Sequence, residues 1–309
     1  MSPLMKILSI FFMLSSLHAG VADHLRKITD KTSNHSMRNI DFIYMINLDQ
    51  RPEKWALSSQ RLGAYGIFPY RFSAVNGWEL SLETVNDVGL KYEKSMTQGI
   101  LGTSYLDPSF EPVHGVISNP GQVYFCHCMA RGPIGTVLSH LSILRDALDS
   151  GYQTVWVMED DIEIHRDPRI LSDLIEKLDN LVGKGNWDIL FTDRNTRNNE
   201  GKEIPVFGFA KRPNFQPTSI GQYNLRQEIN EDFIQIGGRF GAYSMIVRRS
   251  GMQKIYDFII KHSIFLPFDM EFHLPSGIKL YTVAKNVVAH RLDAPSDNGG
   301  PNYLSNAKD

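Results

Sequence analysis

Cysteine is scarce in this chain: its 309 residues include two, Cys126 and Cys128, in a Cys-His-Cys sequence. Thiols only two residues apart rarely meet disulfide geometry. With His127 they could bind a soft metal ion, but a closed zinc site needs four ligands and the sequence has no second cluster. A disulfide-dense scaffold and a structural zinc site are therefore excluded, and we expect two inert thiols.

Excess charge of one sign and long hydrophobic runs are also missing. The net charge is −2 and no long run of like charges occurs, so nucleic acid and anionic membrane surfaces are not indicated as partners. The apolar run at 7–17 follows Lys6, precedes small residues and is too short to span a bilayer comfortably. This pattern predicts a secretory signal peptide over 1–22 and export to a lumen or periplasm, with a signal anchor as the alternative. No other segment has the length of a transmembrane helix.

The composition is that of a globular protein with a sizeable core, at 42% hydrophobic and 21% charged residues. Apolar runs of strand length alternate with helical spacing, which predicts an α/β fold with a mostly parallel central sheet flanked by helices. The predicted strands are 40–48, 68–74, a strand ending in the acids at 159–161, 187–191, a strand ending at 247, and 278–291. The predicted helices are 52–65, a helix from 132 to Gly151, 169–182, and a helix capped by Ser250 through 261.

The chain divides by composition. Residues 23–39 form a loose polar leader, 40–297 form the folded domain and 298–309 a C-terminal tail. Within the domain, 78–130 is less regular and rich in Gly and Pro. The polar stretch 193–232 is long enough to be a lid, a binding loop or a disordered segment.

The most informative segment runs from Val155 to Asp161, where apolar residues lead directly into three carboxylates. The apolar part is typical of a strand buried on both faces, and ligands bind beyond the carboxyl ends of such strands. Side chains alternate along a strand, so Glu159 and Asp161 share one side and Asp160 faces the other. Clustered acids repel one another unless a cation lies among them, and Mg²⁺ or Mn²⁺ prefers oxygen ligands. The alternative is a solvated acidic strand end.

Six short motifs occur in a fixed order along the chain. They are FIYMINLDQR at 42–51, FSAVNG at 72–77, GPIGTVLSH at 132–140, VMEDD at 157–161, WDILF at 187–191 and GAYS at 241–244. Together they resemble glycosyltransferase family 25, which includes lipopolysaccharide-type and collagen-type galactosyltransferases, and the resemblance covers 40–297. It implies an A-type nucleotide-sugar transferase fold, an inverting mechanism and a UDP-sugar donor. The implied acceptor is a hydroxyl of a glycan, lipopolysaccharide or glycoprotein.

The resemblance also assigns roles to the acidic triplet. Asp161 is the expected metal ligand, and Asp160 or Glu159 would hold the ribose or a metal-bound water, with Mn²⁺ or Mg²⁺ as the cofactor. Asp160 is the second metal candidate. His290, after the last strand, would complete the metal shell, or else is a partly buried histidine bonded to backbone.

Further candidates for binding the nucleotide follow the first two strands or lie on the helix after the glycine turn. Arg51 could pair with phosphate or read the uracil edge, or else be a surface arginine paired with Asp49 or Glu53. The remaining candidates could contact ribose or base, or form an Asn-Gly turn and a helix core. These remaining candidates are Asn47, Asp49, Asn76, Gly77, Ser139 and His140.

An inverting transfer needs a general base for the acceptor hydroxyl. Asp269 and Glu271 are the candidates, because they would share a face of an extended segment and lie among apolar residues that raise a carboxyl pKa. The alternative is a pair of acids stabilising a helix N-terminus. The sequence thus predicts a metal-dependent inverting glycosyltransferase that transfers a hexose, with galactose as the first candidate. A metal-dependent phosphohydrolase and a non-catalytic glycan-binding module are the rival functions.

Overall fold

The computed structural model describes residues 19–106, 110–194 and 210–304. Most of the predicted signal peptide and the end of the predicted tail lie outside these ranges. The strands of the described residues are, in chain order, β1 (Phe42–Asn47), β2 (Tyr70–Ser73), β3 (Leu90–Lys91), β4 (Leu101–Tyr105), β5 (Pro112–Val116), β6 (Val123–Cys126), β7 (Thr154–Glu159), β8 (Ile162–Ile164), β9 (Ile189–Phe191), β10 (Arg226–Glu228), β11 (Phe233–Ile236), β12 (Ser244–Arg248), β13 (Leu280–Val283) and β14 (Val288–His290).

Six α-helices accompany these strands in the described ranges. They are α1 (Pro52–Gly63), α2 (Leu82–Val88), α3 (Arg131–Asp149), α4 (Leu171–Val182), α5 (Arg249–His262) and α6 (Phe268–Glu271). Pro52 begins α1, where its missing N–H costs no hydrogen bond. Ser250 does not cap α5 as predicted. It lies inside the helix, and its hydroxyl donates to Asp188. None of the described helices has the length and apolarity needed to cross a membrane.

The central sheet has eight strands in the order β10-β11-β13-β9-β12-β7-β1-β2. β2, β1 and β7 are parallel to one another, whereas β12 pairs antiparallel with both β7 and β9. The α/β fold class is confirmed, and the sheet is mixed because β12 and the β10-β11 edge run against their neighbours. The predicted last strand, 278–291, is two strands: β13 belongs to this sheet, and β14 pairs with β8.

Helices cover both faces of the sheet, and the alternation of side chains divides the core accordingly. On one face Val155 and Val157 pack with α3 and α5 residues such as Leu141 and Ile255. On the other face Trp156 and Met158 pack with α1 and α4 residues. Glu159 therefore continues the α3 face of β7, and Asp160 continues the α1 face.

A second, four-stranded antiparallel sheet in the order β3-β6-β4-β5 occupies the region that the sequence showed only as irregular. Its strands have two to five residues each, and β4 and β5 contain Gly, so their apolar periodicity is weak. The leader was expected to be loose, but it packs on the domain. His24 pairs with Asp87 at 3.0 Å, and Lys31 pairs with Asp146 at 2.7 Å. Of the predicted polar loop, 195–209 lies outside the described residues.

Candidate functional site

The carboxyl ends of β2, β1 and β7 meet at one edge of the central sheet. Asn47 of β1 pairs with Ser73 of β2, and Ile46 pairs with Glu159 of β7. Because the three strands are parallel, the loops that follow them all open on the same side. The acidic triplet therefore lies beside the turn at 74–77 and the N-terminus of α1.

A pocket opens at this edge, with about 650 Å³ of atom-free space, part of it open to solvent. We name it the acidic pocket. Its wall combines all three acids of the triplet with residues of α1, of the 74–78 turn, of α3 and of the C-terminal segment. The lining includes Arg51, Lys54, Asn76, Gly77, Trp78, Gly132, Thr136, Ser139, Glu159, Asp160, Asp161, Ser296, Asp297 and Asn298.

Asp160 faces α1, as strand alternation predicted. Its Oδ2 accepts a hydrogen bond of 2.6 Å from the Asn47 amide, and its Oδ1 lies 3.9 Å from Lys54 Nζ. Burial raises the pKa of Asp160 to about 7, against the lowering effect of Lys54. Burial, together with the charge of Asp161, raises the pKa of Glu159 to about 8. Glu159 and Asp160 thus bind protons more tightly than free carboxylates, chiefly because burial disfavours their charged forms.

Asp161 lies against His290, with 3.4 Å between Oδ2 and Nε2. Its other oxygen, Oδ1, is buried without a hydrogen-bond partner among the described residues. Burial alone would lower the pKa of His290, but the Asp161 carboxylate outweighs it and raises that pKa. An orphaned carboxylate oxygen beside an imidazole fits a divalent cation. The described residues contain no group of three or more His, Cys, Asp or Glu able to hold a metal by themselves. A divalent cation that is also coordinated by substrate phosphates commonly needs only one or two carboxylates from the protein.

Arg51 is buried, unlike the surface arginine of the alternative interpretation. Its guanidinium makes two hydrogen bonds to Asp297, of 2.7 Å from Nε and 2.6 Å from Nη2. The Arg51 guanidinium, which was predicted to bind phosphate or the uracil edge, is therefore already paired with a carboxylate. Asp49 lies outside the acidic pocket lining. It accepts hydrogen bonds from Arg71 and Ser73, and the Ser73 bond helps to hold the pKa of Asp49 below its usual range.

The other predicted nucleotide-binding residues shape the pocket through their hydrogen bonds. Asn47 lies behind the pocket, where its amide holds both Asp160 and the Arg51 carbonyl. Asn76 accepts from the Trp78 N–H and donates to Glu79 and Tyr303, while Ser139 accepts from the Val75 N–H. A Cβ on Gly77 would lie 1.8 Å from the Arg131 carbonyl oxygen, so only glycine fits where this turn meets α3.

A second pocket, of about 450 Å³ of atom-free space, adjoins the first, and Thr136, Glu159 and Asn298 line both. Asp269 lies on its wall with Phe268 and Tyr243, and we name it the Asp269 pocket. Asp269 Oδ2 accepts a hydrogen bond of 2.9 Å from the Gly241 N–H, and burial raises the pKa of this carboxyl.

Glu271, the second predicted base, is excluded from that role by its position. α6 is helical where the prediction assumed extended backbone, so residues two apart point in different directions. The Glu271 side chain is fully buried, pairs with Arg212 and accepts from the Leu266 N–H at 2.9 Å. It closes a structural ion pair and lines neither pocket.

His140 lies between the two pockets and is fully enclosed. Its ring stacks on Phe268 with 4.0 Å between centroids, and its Nε2 is 3.5 Å from Glu159 Oε1. Burial lowers the pKa of His140 to about 3, so the ring is neutral. It supports the wall from behind and is absent from the lining of both pockets.

Sequence reasoning missed several pocket residues. Lys54 could have been found, because it lies in the first turn of α1, three residues after Arg51. Tyr243 was quoted within a motif but given no role, although its ring stacks on His290 at 4.2 Å. Asp297 and Asn298 carried no local signal, since they reach the site only through the fold.

Comparison with known proteins identifies this architecture. The family model for glycosyltransferase family 25 (LPS biosynthesis protein) matches residues 40–270, well over half of the chain. The chain belongs to glycosyltransferase family 25. The family predicted from the six motifs is thereby confirmed.

The curated relatives include proteins named as family 25 members and proteins named as inactive family 25 members. A protein of Aedes aegypti named glycosyltransferase 25 family member is 27% identical over 175 residues, covering 57% of this chain and 24% of that protein. A Mus musculus protein named inactive glycosyltransferase 25 family member 3 is 29% identical over 174 residues, covering 56% of this chain and 25% of that protein. The match thus spans only a quarter or less of the length of these relatives.

Proposed function

We propose that this family 25 chain is an active, inverting glycosyltransferase that uses Mn²⁺ or Mg²⁺. It would move a hexose, with galactose as the first candidate, from a UDP-sugar to a hydroxyl of a glycan or protein acceptor. The observation that carries the proposal is the pair of adjoining pockets. One is lined by the acidic triplet, the other by Asp269, and Glu159 belongs to both walls.

The acidic pocket suits the nucleotide diphosphate. Asp161 and His290 would hold the divalent cation, with Asp160 next to them, and the bound cation would neutralise charge on the departing diphosphate. Lys54, on the pocket wall, adds a positive charge of the protein's own. Gly77 and Asn76 border the region where the ribose or base would lie, since they follow β2 at the same edge.

The Asp269 pocket suits the acceptor. Inversion requires the hydroxyl to attack the sugar from the side opposite the leaving group, with a base near that hydroxyl. Asp269 lies in the neighbouring pocket, and the Gly241 N–H donates to one of its oxygens while burial raises its pKa above that of a free carboxyl. It would take the hydroxyl proton as the bond to the sugar forms.

The test is a transfer assay with a panel of UDP-sugars, Mn²⁺ and acceptor sugars or hydroxylated peptides. Asp161→Asn should lower kcat/KM by about two orders of magnitude, because a metal contributes several kcal/mol to the transition state. Glu163→Gln is the matched control: this exposed acid lies two residues further on, in β8, and lines neither pocket. Its activity should equal that of the wild type.

Two results would redirect the assignment. Release of phosphate to the same extent with and without acceptor would favour a phosphohydrolase. Donor binding without turnover would favour a non-catalytic module, an outcome to which the relatives named inactive give weight. Unchanged transfer by Asp161→Asn would refute the role given to the triplet.

A further inference from the structure

The two cysteines meet at a turn. Cys126 ends β6, and the Met129 N–H donates to its carbonyl at 3.0 Å, so the chain reverses direction across Cys128. The two Sγ atoms are 2.8 Å apart. The sequence predicted inert thiols, because residues two apart rarely meet disulfide geometry. The turn makes an approach of the two thiols possible, because it brings residues two apart closer than an extended strand does. Such residues can have Cα atoms about 5–6 Å apart, inside the range that disulfides accept.

The two thiols differ in access and in acidity. Cys126 is buried and Cys128 is exposed. The hydrogen bond with Cys126 lowers the pKa of the Cys128 thiol to about 7, and the same bond, with burial, raises the pKa of Cys126. At neutral pH Cys128 therefore carries a substantial thiolate fraction at the surface, where an external disulfide can reach it. Cys126 is placed to react only with its neighbour.

We propose that Cys126 and Cys128 form a redox-active dithiol that closes to a disulfide by exchange with a low-molecular-weight disulfide such as oxidised glutathione. The Cys128 thiolate attacks one sulfur of that molecule, forms a mixed disulfide and expels a glutathione thiolate. Cys126 then loses its proton to solvent and attacks the Cys128 sulfur, which expels the second glutathione thiolate. The dithiol gives up two electrons and two protons, and one molecule of oxidised glutathione becomes two of reduced glutathione.

The dithiol lies next to the Asp269 pocket. The Cys126 N–H donates to the Phe265 carbonyl at 2.8 Å, and the chain from Phe265 leads through Pro267 into α6, which carries Asp269. Ring closure would therefore restrain the turn that supports this segment. Formation of this disulfide requires only the two thiols and does not depend on transferase activity.

The test treats the reduced full-length protein with oxidised glutathione at neutral pH, followed by alkylation, digestion and mass spectrometry. The peptide that contains both cysteines should lose two hydrogen atoms and resist alkylation at both positions. Because the chain has no other cysteine, a disulfide within one molecule can only join these two. Reduction with excess dithiothreitol should restore both thiols.

Single substitutions separate the two roles. Cys126→Ser should accumulate the glutathione adduct on Cys128, because the resolving thiol is gone. Cys128→Ser should react at least about tenfold more slowly, because its remaining thiol is buried. A wild type that stays a dithiol, or that stops at the mixed disulfide, would overturn the proposal. So would equal rates for the two variants. The wild-type measurement decides the matter even if a variant fails to fold.

Discussion

Gly135→Ala gives a sharp test of how the site is built, because local and tertiary effects oppose each other there. Gly135 lies inside α3, where alanine normally stabilises a helix by about 1 kcal/mol relative to glycine. An added Cβ would lie 2.4 Å from the Val75 carbonyl oxygen and 2.5 Å from the Gly77 N. Both atoms belong to the backbone of the turn that lines the acidic pocket, so no side-chain rotation relieves the clash.

We expect the cost of the steric clash to exceed the gain in helix stability. Relief requires the 75–77 turn to move by roughly 1 Å, and overpacking of this kind costs about 1–3 kcal/mol. A rigid backbone neighbour places the cost at the upper end of that range. After the helix gain is subtracted, we expect Gly135→Ala to lower the free energy of unfolding by about 1–2 kcal/mol. The displaced turn should also weaken UDP binding.

Gly63→Ala is the matched control. Gly63 is also a helical glycine, at the end of α1, but there a Cβ would meet only a Phe68 ring atom at 3.8 Å. Its free energy of unfolding should be unchanged or slightly higher than that of the wild type. Urea denaturation gives both values, and calorimetric titration with UDP gives the affinity. If Gly135→Ala is as stable as Gly63→Ala and binds UDP normally, the inference that the 75–77 turn packs closely on α3 is contradicted.

Two further predictions concern the buried ionisable groups. Glu271→Gln should destabilise the fold by about 3–5 kcal/mol in thermal or chemical denaturation, because Arg212 would keep an uncompensated buried charge. Asp269→Asn should instead leave stability close to that of the wild type and lower kcat by about 10²–10⁴-fold. If Asp269→Asn unfolds instead, or Glu271→Gln loses only activity, the two acids have been assigned the wrong way round. Burial lowers the pKa of His273 to about 4 from an ordinary value near 6.5, so the unfolded chain takes up a proton before the native state does, and stability falls as the pH drops below 6.5. His273 should contribute a loss of about 2 kcal/mol between pH 7 and pH 5, and His273→Phe should remove that share; an unchanged pH slope in the variant would contradict it.

The sequence was sufficient where the signal was local. The apolar run that ends in three acids predicted both the strand and the edge at which a ligand would lie. The alternation rule then predicted the opposite directions of Glu159 and Asp160, because it depends only on extended backbone, and β7 is extended as far as Glu159. The same rule failed at Asp269 and Glu271, where the backbone is helical and the two acids separate into a pocket and a core.

The parts that could not be predicted depend on contacts between distant segments. Arg51 and Asp297 are 246 positions apart, and no local sequence pattern around either residue indicates that they form an ion pair. The need for glycine at Gly132 has a similar origin, since an added Cβ would lie 2.8 Å from the Asp297 carbonyl oxygen. Secondary-structure propensity and hydrophobic periodicity are local quantities, so they do not predict which carboxylate pairs with a buried arginine.

Family membership alone does not establish activity, because some relatives are named inactive, but the charge balance of the acidic pocket gives an independent argument. Among the described residues of its wall, the cationic side chains are Arg51 and Lys54. Asp297 engages the first and Asp160 lies near the second, so Glu159 and Asp161 face the space with no strong cation of their own. A nucleotide diphosphate would add further negative charge, which this wall could accept only together with a cation. A relative that had lost catalysis would gain stability by replacing such acids, because unpaired clustered carboxylates are costly. The presence of these acids, one of which keeps an oxygen without a hydrogen-bond partner among the described residues, is therefore the physical reason to expect turnover from this chain.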